Sequence, residues 1–399
     1  LGEMVQNDFP VPNGFVVTSE AYFNFVKEAG IHAKIVEHID SIDVENTEDL
    51  ERKTKEVREL IRQTPMPEDI KAEILSSYDL LNIQENNSAN TLVAVRSSAT
   101  AEDLPDASFA GQQDTYLNVF GKVELLKSVQ NCWASLFTAR AAYYRKKQGF
   151  ETEKVGLCAV IQKMVQSNVS GIMFTADPTG DLTKIIIEAG FGLGETVVSG
   201  SITPDNYVVN KETLTLENKK INKQEFMLTR EQGQNMQINL GESKGQLQKL
   251  DDSKIIELAT IGSKIQEHYK KPMDIEWAME GNKLYIVQAR PITTLSLDEE
   301  NKEDQEQAKE EMEQLKQEGH EVLLDGLPAS PGVISGQVKI AQSIDDIIKV
   351  NKGDILVTKM TSPSWVPVMK RASGIITNEG GRTCHAAIVS RELGIPCVV

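Results

Sequence analysis

One histidine stands where the chain could bind and transfer a phosphoryl group. His385 follows Gly380-Gly381 and precedes an apolar run that ends at Gly394, which predicts a helix beginning near the histidine. A helix N-terminus carries N–H groups and a partial positive charge, so it stabilises an anion. A neutral imidazole placed there can attack phosphorus and keep the phosphoryl group. A lone histidine is more often a core residue, but the glycines, Arg382 and the helix start together favour chemistry.

A second group of polar residues follows a predicted strand that ends at Arg96. Serines and a threonine come next, and Gly111 and Thr115 lie further along the chain. The fork of an arginine matches the oxygens of a phosphate, and a glycine lets a loop fold over that phosphate. The same pattern fits a salt-bridged scaffold arginine. These residues alone therefore leave both interpretations open.

Two strand patterns on either side of Gly281-Asn282 predict a β-hairpin with Glu276 and Gln288 on its two arms. A carboxylate and an amide oxygen are ligands that suit Mg²⁺. Side chains alternate between the faces of a strand, so the loop length decides whether these two meet. A three-residue loop places them opposite each other with Arg290 on the same face, whereas a two-residue loop sends Gln288 to the other face. By spacing alone, an ordinary surface hairpin is the simpler interpretation.

The elements that position these residues mix strands with helices. Helical spacing over residues 123–148 predicts one helix that ends at Gly149. Apolar and β-branched runs predict strands over residues 92–96, 155–163, 171–175, 184–188, 206–210, 273–279, 283–289, 354–358 and 374–377. This mixture, without a repeat of fixed period, predicts an α+β fold.

Residues 296–320 differ in composition from the rest of the chain. Ten acids and three lysines fall between Asp298 and Glu318, and each lysine has a glutamate three residues earlier. This spacing predicts a solvated linker helix with ion pairs. Because the segment lacks an apolar face, we expect it to let the domain that follows swing.

The bulk composition excludes several classes of partner. The 399 residues carry a net charge of −17 with 40% hydrophobic side chains, which is ordinary for two or three globular domains. An acidic surface repels nucleic acid and anionic membranes, so neither is an expected partner. Four cysteines lie far apart, and the sequence shows no signal peptide and no apolar run of bilayer length. These features predict a cytoplasmic location.

The run GGRTCHAAIVSRELGIP, residues 380–396, resembles the phosphohistidine segment of the phosphoenolpyruvate synthase family, the pyruvate, water dikinases. The upstream segments VAVRSSAT and E-W…QxRP are similar to that family's ATP-grasp domain. Cys384 in the Thr-Cys-His triplet favours this family, since the related pyruvate, phosphate dikinases usually carry Thr-Ser-His. The resemblance implies an ATP-grasp domain over 1–295, the linker helix over 296–320 and a truncated, swivelling phosphohistidine β/β/α domain over 321–399. Both ends of the chain resemble positions inside a longer enzyme.

The family resemblance implies a reaction with ATP, Mg²⁺, pyruvate and water. ATP pyrophosphorylates His385 with release of AMP, loss of phosphate to water leaves phosphohistidine, and pyruvate bound by an absent C-terminal domain becomes phosphoenolpyruvate. In the family a bifunctional regulatory kinase/phosphorylase modifies the position of Thr383, and a homodimer is left open. The implied site contacts are Arg96, Gly111, Thr115 and Arg290 for phosphates, Gln162, Met164 and Val165 for adenine, Glu188 for ribose, Glu276 and Gln288 for Mg²⁺, and Arg382 and Cys384 in support of His385.

Three alternatives stay beside this interpretation. A pyruvate, phosphate dikinase would use added phosphate as an acceptor, and Cys384 speaks against it. A rifampicin phosphotransferase inserts an antibiotic-binding domain where this chain has only the acidic linker. A phosphocarrier or regulatory module without catalysis would need no ATP or Mg²⁺ ligands, and Glu276, Gln288 and Arg290 speak against that.

Overall fold

The chain folds into two units of mixed helix and sheet. The computed structural model describes residues 1–44, 46–85, 91–99, 103–104, 107–108, 114–147, 149–178, 181–231, 234–292, 323–324, 326–362, 365–382 and 384–399. The smaller unit is Pro12–Met164, and the larger unit combines Leu1–Val11 with Val165–Val399. The predicted mixture of helices and strands is confirmed. Within the described part of the chain, no helix has the length and apolarity needed to cross a membrane.

The smaller unit is built around one antiparallel sheet. Its strands are β1 (Gly14–Val17), β2 (Val93–Ala99), β3 (Asp103–Leu104), β4 (Ala107–Ser108), β5 (Thr115–Val119) and β6 (Leu157–Lys163). The main sheet has the order β1-β6-β2-β5, and β3 pairs with β4. Val95 and Ile161 turn one face of the sheet toward a core that includes Trp133, so the alternate residues face the other way. The helices are Ser19–Glu28, His32–Asp40, Thr47–Gln63, Glu68–Gln84, Gly121–Ser135 and Ala139–Lys147, with a 3-10 turn at Thr152–Lys154.

The prediction of one helix over residues 123–148 is wrong, because two helices occupy this stretch. The first helix ends at Ser135, and Leu136 and Phe137 turn inward and are buried. The Thr138 hydroxyl then accepts a 3.2 Å hydrogen bond from the Ala141 N–H. A threonine oxygen satisfies a free N–H at the start of a helix, so Thr138 restarts the helix in a new direction.

The larger unit contains a six-stranded antiparallel sheet. Its strands are β7 (Val169–Phe174), β8 (Lys184–Phe191), β9 (Asp205–Asn210), β10 (Leu216–Lys220), β13 (Met273–Glu280) and β14 (Lys283–Pro291), in the order β10-β9-β8-β7-β13-β14. β11 (Phe226–Glu231) and β12 (Gln234–Asn239) form a separate hairpin. One sheet face packs against the helix Asp252–Tyr269 in a core that includes Trp277. The other helices here are Gly2–Gln6, Glu195–Val198 and Gly241–Gly245.

The end of the chain forms a second sheet within the larger unit. Its strands are β15 (Pro328–Ser330), β16 (Val338–Ile340), β17 (Ile355–Thr358), β18 (Gly374–Thr377) and β19 (Cys397–Val398), in the order β15-β19-β18-β17-β16. β16 to β19 run parallel, and β15 is antiparallel to β19. The helices Val366–Met369 and His385–Leu393 accompany the sheet, with a 3-10 segment at Ile344–Lys349. All the predicted strands are confirmed to within three residues at their ends.

Candidate active site

His385 is the first residue of the helix His385–Leu393. Cys384 occupies the N-cap position with extended backbone angles, and Gly394 ends the helix with a φ of 64°. The prediction of a histidine at a helix N-terminus is therefore confirmed. The chain enters this turn from the carboxyl end of β18, where side chains of parallel strands commonly meet ligands. The Thr361 hydroxyl lies 2.8 Å from His385 Nδ1 and fixes the orientation of the imidazole ring.

The turn before His385 lies against Glu188 of the six-stranded sheet. The Arg382 backbone N–H donates a 2.8 Å hydrogen bond to Glu188 Oε1. A Cβ atom added at Gly381 would lie 2.7 Å from Glu188 Oε2, so any larger residue here would displace the Glu188 carboxylate. Glu188 itself is buried, with 1% of its surface exposed.

Arg382 extends this contact through its side chain. Its Nη1 donates a 2.8 Å hydrogen bond to Asp177 Oδ2, and both side chains are largely buried. The Arg391 guanidinium, on the helix His385–Leu393, holds the same turn by donating to the Arg382 carbonyl oxygen at 2.9 Å. Burial lowers the pKa of Arg391, and the nearby Asp274 carboxylate opposes that effect.

Cys384 packs beneath the same turn. It is fully buried, and burial raises the pKa of its thiol, so the thiol is held neutral. A Cβ atom added at Gly200, whose φ is +69°, would lie 2.7 Å from the Cys384 Cβ. The turn that carries His385 therefore contacts the six-stranded sheet and its connecting loops at three places, namely Asp177, Glu188 and Gly200.

Acidic and amide side chains form a row across the six-stranded sheet. Glu188 pairs with Ile172 of β7, Ile172 pairs with Glu276 of β13, and Glu276 pairs with Gln288 of β14. Directly paired residues point to the same face of a sheet. Glu188, Glu276 and Gln288 therefore share the face on which the His385 turn rests.

The hairpin that carries Glu276 and Gln288 has a two-residue loop, so the inference that their pairing needs a three-residue loop is wrong. Glu280 pairs with Lys283, and Gly281 takes the positive φ of 59° that the turn requires. The register then shifts between Glu276 and Trp277, which leaves Val287 as an extra residue on β14. The extra residue of this β-bulge returns the side chain of Gln288 to the same sheet face as Glu276, so the two residues lie opposite each other.

Arg290 lies on the same face and forms an ion pair with Asp274. Its Nε and Nη2 each lie 2.9 Å from Asp274 Oδ2. Burial raises the pKa of the Asp274 carboxyl, and the Arg290 guanidinium opposes this shift. The arginine thus reaches the row of polar side chains, held by a carboxylate two residues before Glu276.

The donor set on this sheet fits a hard divalent cation that also binds phosphate. Within the described ranges, no three His, Cys, Asp or Glu side chains converge as a metal site made by protein alone. Mg²⁺ does not need such a cage, because it commonly takes one or two carboxylates and completes its shell with water and phosphate oxygens. Glu276 and Gln288 supply oxygens on one face, so the residues present fit the ion.

Polar residues predicted to contact ATP also share a face in the smaller unit. Arg96 of β2 pairs with Thr115 of β5, and Ala94 two residues earlier pairs with Gln162 of β6. Arg96, Thr115 and Gln162 therefore lie on the sheet face opposite the apolar core. The Gln162 amide nitrogen is buried and has no hydrogen-bond partner among the residues that the structure describes. Such a donor fits an acceptor on a ligand.

Met164 and Val165 directly follow β6, and the Met164 N–H donates to the Leu92 carbonyl oxygen at 2.9 Å. The division between the two units falls between these two residues. Gly111, Thr383 and the linker 296–320 lie outside the described residues. Their predicted roles stay predictions.

Three residues of this site were missed by sequence reasoning, namely Asp177, Asp274 and Thr361. Asp274 had a usable signal, because Asp274-Ile275-Glu276 places two carboxylates on one strand face. Thr361 meets His385 from 24 residues away, and Asp177 meets Arg382 from 205 residues away. Pairs so distant leave no local pattern.

Comparison with known proteins identifies the family. The model of the pyruvate phosphate dikinase AMP/ATP-binding domain matches residues 1–313. The chain belongs to that family. A second model, the mobile domain of PEP-utilising enzymes, matches residues 350–399, which include His385. The AMP/ATP-binding match makes ATP a ligand of this family domain.

Relatives within this family match the whole chain. It is 52% identical over 399 residues to a probable phosphoenolpyruvate synthase of Archaeoglobus fulgidus, covering 100% of this chain and 52% of the relative. It is 47% identical to a probable phosphoenolpyruvate synthase of Methanothermobacter thermautotrophicus, covering 100% and 56%. It is 46% identical to the phosphoenolpyruvate synthase of Pyrococcus furiosus, covering 100% and 53%. The chain thus spans about half the length of these curated relatives.

Proposed function

We propose that this chain carries the ATP-consuming half of a phosphoenolpyruvate-forming phosphotransferase, a pyruvate, water dikinase, with His385 as the phosphoryl carrier. The observation that carries the proposal is the contact between the His385 turn and the sheet face that bears Glu188, Glu276 and Gln288. A nucleophile and a set of phosphate and metal ligands on one surface suit phosphoryl transfer, which depends on positioning and charge.

The first chemical step forms a bond between His385 and the β-phosphorus of ATP. When Nδ1 donates its proton to the Thr361 hydroxyl oxygen, the ring lone pair lies on Nε2, which then attacks. The bond from the β-phosphorus to the oxygen shared with the α-phosphate breaks, and AMP leaves with that oxygen. His385 then carries a pyrophosphoryl group.

The second step transfers the terminal phosphoryl group to water. Water attacks the γ-phosphorus, inorganic phosphate leaves, and phosphohistidine remains. In the longer protein this group passes to pyruvate, bound by a separate C-terminal domain, and yields phosphoenolpyruvate. Cys384 in the Thr-Cys-His triplet supports water rather than added phosphate as the acceptor.

Positive charge and hydrogen-bond donors would compensate the phosphate charge in these steps. We assign Arg290, Arg96, Thr115 and Gly111 to the phosphates, and Glu188 to the ribose. Gln162, Met164 and Val165 then contact adenine. Glu276 and Gln288 would hold Mg²⁺, which when bound neutralises charge on the phosphate oxygens.

The proposal also assigns the domains and their regulation. An ATP-grasp domain spans 1–295, the linker 296–320 follows, and a swivelling phosphohistidine domain spans 321–399. Thr383 is the proposed target of a regulatory kinase/phosphorylase, because a dianion two residues from His385 would repel the phosphates of ATP. A cytoplasmic setting completes the proposal.

Labelling with ATP that carries ³²P at the β-phosphate tests this function. We expect acid-labile label on His385, absent in His385→Asn, together with stoichiometric AMP. Label on His32, His38, His268 or His320 would contradict the assignment. If AMP formation strictly required inorganic phosphate, the protein would instead be a pyruvate, phosphate dikinase.

A further inference from the structure

We propose that Asp177 is a positioning residue that holds the His385 turn against the six-stranded sheet through the Arg382 guanidinium. This deepens the proposed function and rests on it, because it concerns the contact from which His385 meets ATP. Asp177 lies in the loop after β7, and Arg382 lies three residues before His385. The pair thus joins the ATP-binding sheet to the domain that carries the histidine.

The ion pair between Arg382 and Asp177 is short and largely buried, so each side chain depends on the other to balance its charge. Arg382 Nη1 lies 2.8 Å from Asp177 Oδ2, and the side chains are only 11% and 12% exposed. Removing one partner of a buried pair leaves the other charge uncompensated, whereas an exposed pair is compensated by water. When the domains separate, Arg382 regains water, so losing Asp177 disfavours the docked arrangement alone.

Both backbone polar groups of Arg382 are hydrogen-bonded, and the bond made by its N–H can be used to follow the contact experimentally. Its N–H donates to Glu188 Oε1 across the interface at 2.8 Å, and its C=O accepts from Arg391 Nη2 in its own domain at 2.9 Å. The N–H is protected by Glu188 only while the domains are docked. Hydrogen exchange at this one amide therefore measures docking, without ATP and without catalysis.

The test measures exchange of the Arg382 amide in wild type, Asp177→Asn and Arg382→Gln, using residue-resolved mass spectrometry without nucleotide. We expect exchange to be about tenfold or more faster in each variant, since each removes the buried Arg382–Asp177 ion pair that holds the turn. The double variant should be no faster than the faster single variant, because the pair acts as a unit. The Ile375 amide, bonded to the Pro396 carbonyl oxygen inside the final sheet, should not change.

Glu217→Gln is the matched control, because it removes the exposed Lys184–Glu217 ion pair from the same six-stranded sheet. It should leave exchange of the Arg382 amide at the wild-type rate. Unchanged exchange in Asp177→Asn would overturn the proposal, and so would equally faster exchange at Ile375, which would indicate general unfolding.

Labelling of His385 by ATP separates this proposal from the proposed function. In Asp177→Asn we expect slower labelling with ATP affinity within about twofold of wild type, because a positioning residue acts on the transfer step rather than on ground-state binding. If the Arg382 amide responds but wild type never labels His385, the positioning role holds and the proposed function fails. If wild type labels His385 and the amide does not respond, the function holds and the role of Asp177 fails.

Discussion

Glu276 lies directly opposite Gln288 on neighbouring antiparallel strands of the six-stranded sheet. Cβ atoms of residues paired in this way are about 5 Å apart, so one small cation can contact an oxygen from each side chain. Two strands away, Glu188 faces the same side and accepts the Arg382 N–H. A metal held by the pair would therefore lie on the surface that meets the His385 turn.

Replacing Glu276 by Gln should lower the Mg²⁺-dependent labelling of His385 by about 100-fold, because Mg²⁺ would be held less tightly and would neutralise less of the developing phosphate charge. The fold should be unaffected, since Gln has the same shape. The measurement is the initial labelling rate as a function of Mg²⁺ concentration. Glu280→Gln, at the loop end of the same strand, is the control and should behave as wild type. An identical Mg²⁺ dependence in both variants would exclude Glu276 from metal binding.

Thr361→Val should slow phosphorylation of His385 by roughly tenfold, because it removes a hydrogen bond worth about 0.5–1.5 kcal/mol that orients the imidazole ring. Thr361 is 4% exposed and its hydroxyl lies 2.8 Å from His385 Nδ1. Thr361→Ser keeps the hydroxyl and should retain most of the rate. Nitrogen NMR of the imidazole in both variants would show whether the tautomer changes. A Val variant with the wild-type rate and tautomer would rule out this role.

Gly200→Ala should weaken docking of the His385 turn. The added Cβ would lie 2.7 Å from Cys384 Cβ and 3.0 Å from Met360 Cε, at a residue with a φ of +69°. Gly241→Ala is a matched control, since Gly241 has a φ of +66° in the same unit and nothing lies within 4 Å of its added Cβ. Both substitutions strain the backbone, but only Gly200→Ala should accelerate exchange of the Arg382 amide. Equal acceleration in both would attribute the effect to strain.

Lys249→Met should destabilise the six-stranded sheet by roughly 3–5 kcal/mol, because Asp205 would keep a buried charge without its partner. Lys249 Nζ lies 2.9 Å from Asp205 Oδ1, and both side chains are 0% exposed. The double variant Lys249→Met/Asp205→Asn should recover part of the loss, because it removes the unpaired charge and an asparagine oxygen can still accept from the Tyr207 hydroxyl and the backbone N–H of residue 249. Urea unfolding followed by Trp277 fluorescence, with Trp133 and Trp365 replaced by Phe, measures both. A double variant less stable than the single one would show that the pair is not the cause.

The final sheet should lose stability in alkaline solution through Cys397. Burial raises the pKa of this thiol from 9.0 to about 11. The folded state thus favours the neutral thiol, so its contribution is complete below pH 9 and is lost as pH rises toward 11, amounting to roughly 2–3 kcal/mol. Urea midpoints followed by Trp365 fluorescence between pH 8 and 11 should fall more steeply in wild type than in Cys397→Ala. Parallel slopes would contradict this assignment.

Local patterns were sufficient to predict most of the strands, and the failures concern features that packing decides. The segments that form β8 and β18 are apolar and bounded by turn residues, so their sequence predicts buried strands. The break at Leu136 was missed because both flanking segments have helical spacing. Only Thr138 marks the new start, and a threonine inside a helix pattern is not decisive.

The candidate site likewise contains features that local sequence patterns predict and features that depend on packing. His385 and its helix were predictable because glycines and a helix start are neighbours in sequence. The pairing of Glu276 with Gln288 depends on a bulge at Val287, and nothing about a valine marks a bulge. Asp177 contacts Arg382 only because the turn before His385 lies against the six-stranded sheet, and the spacing of residues in the sequence does not predict that contact.

The close approach of Gly381 to Glu188 sets different evolutionary constraints on two adjacent positions. Glu188 accepts a backbone N–H at position 382, which every residue except proline supplies, so this bond tolerates drift of the side chain. At position 381 even alanine would bring its Cβ to 2.7 Å from a carboxylate oxygen. Selection on a library randomised at both positions should therefore return glycine at 381 for its size and arginine at 382 for its bond to Asp177, with proline absent from 382 because it lacks the N–H.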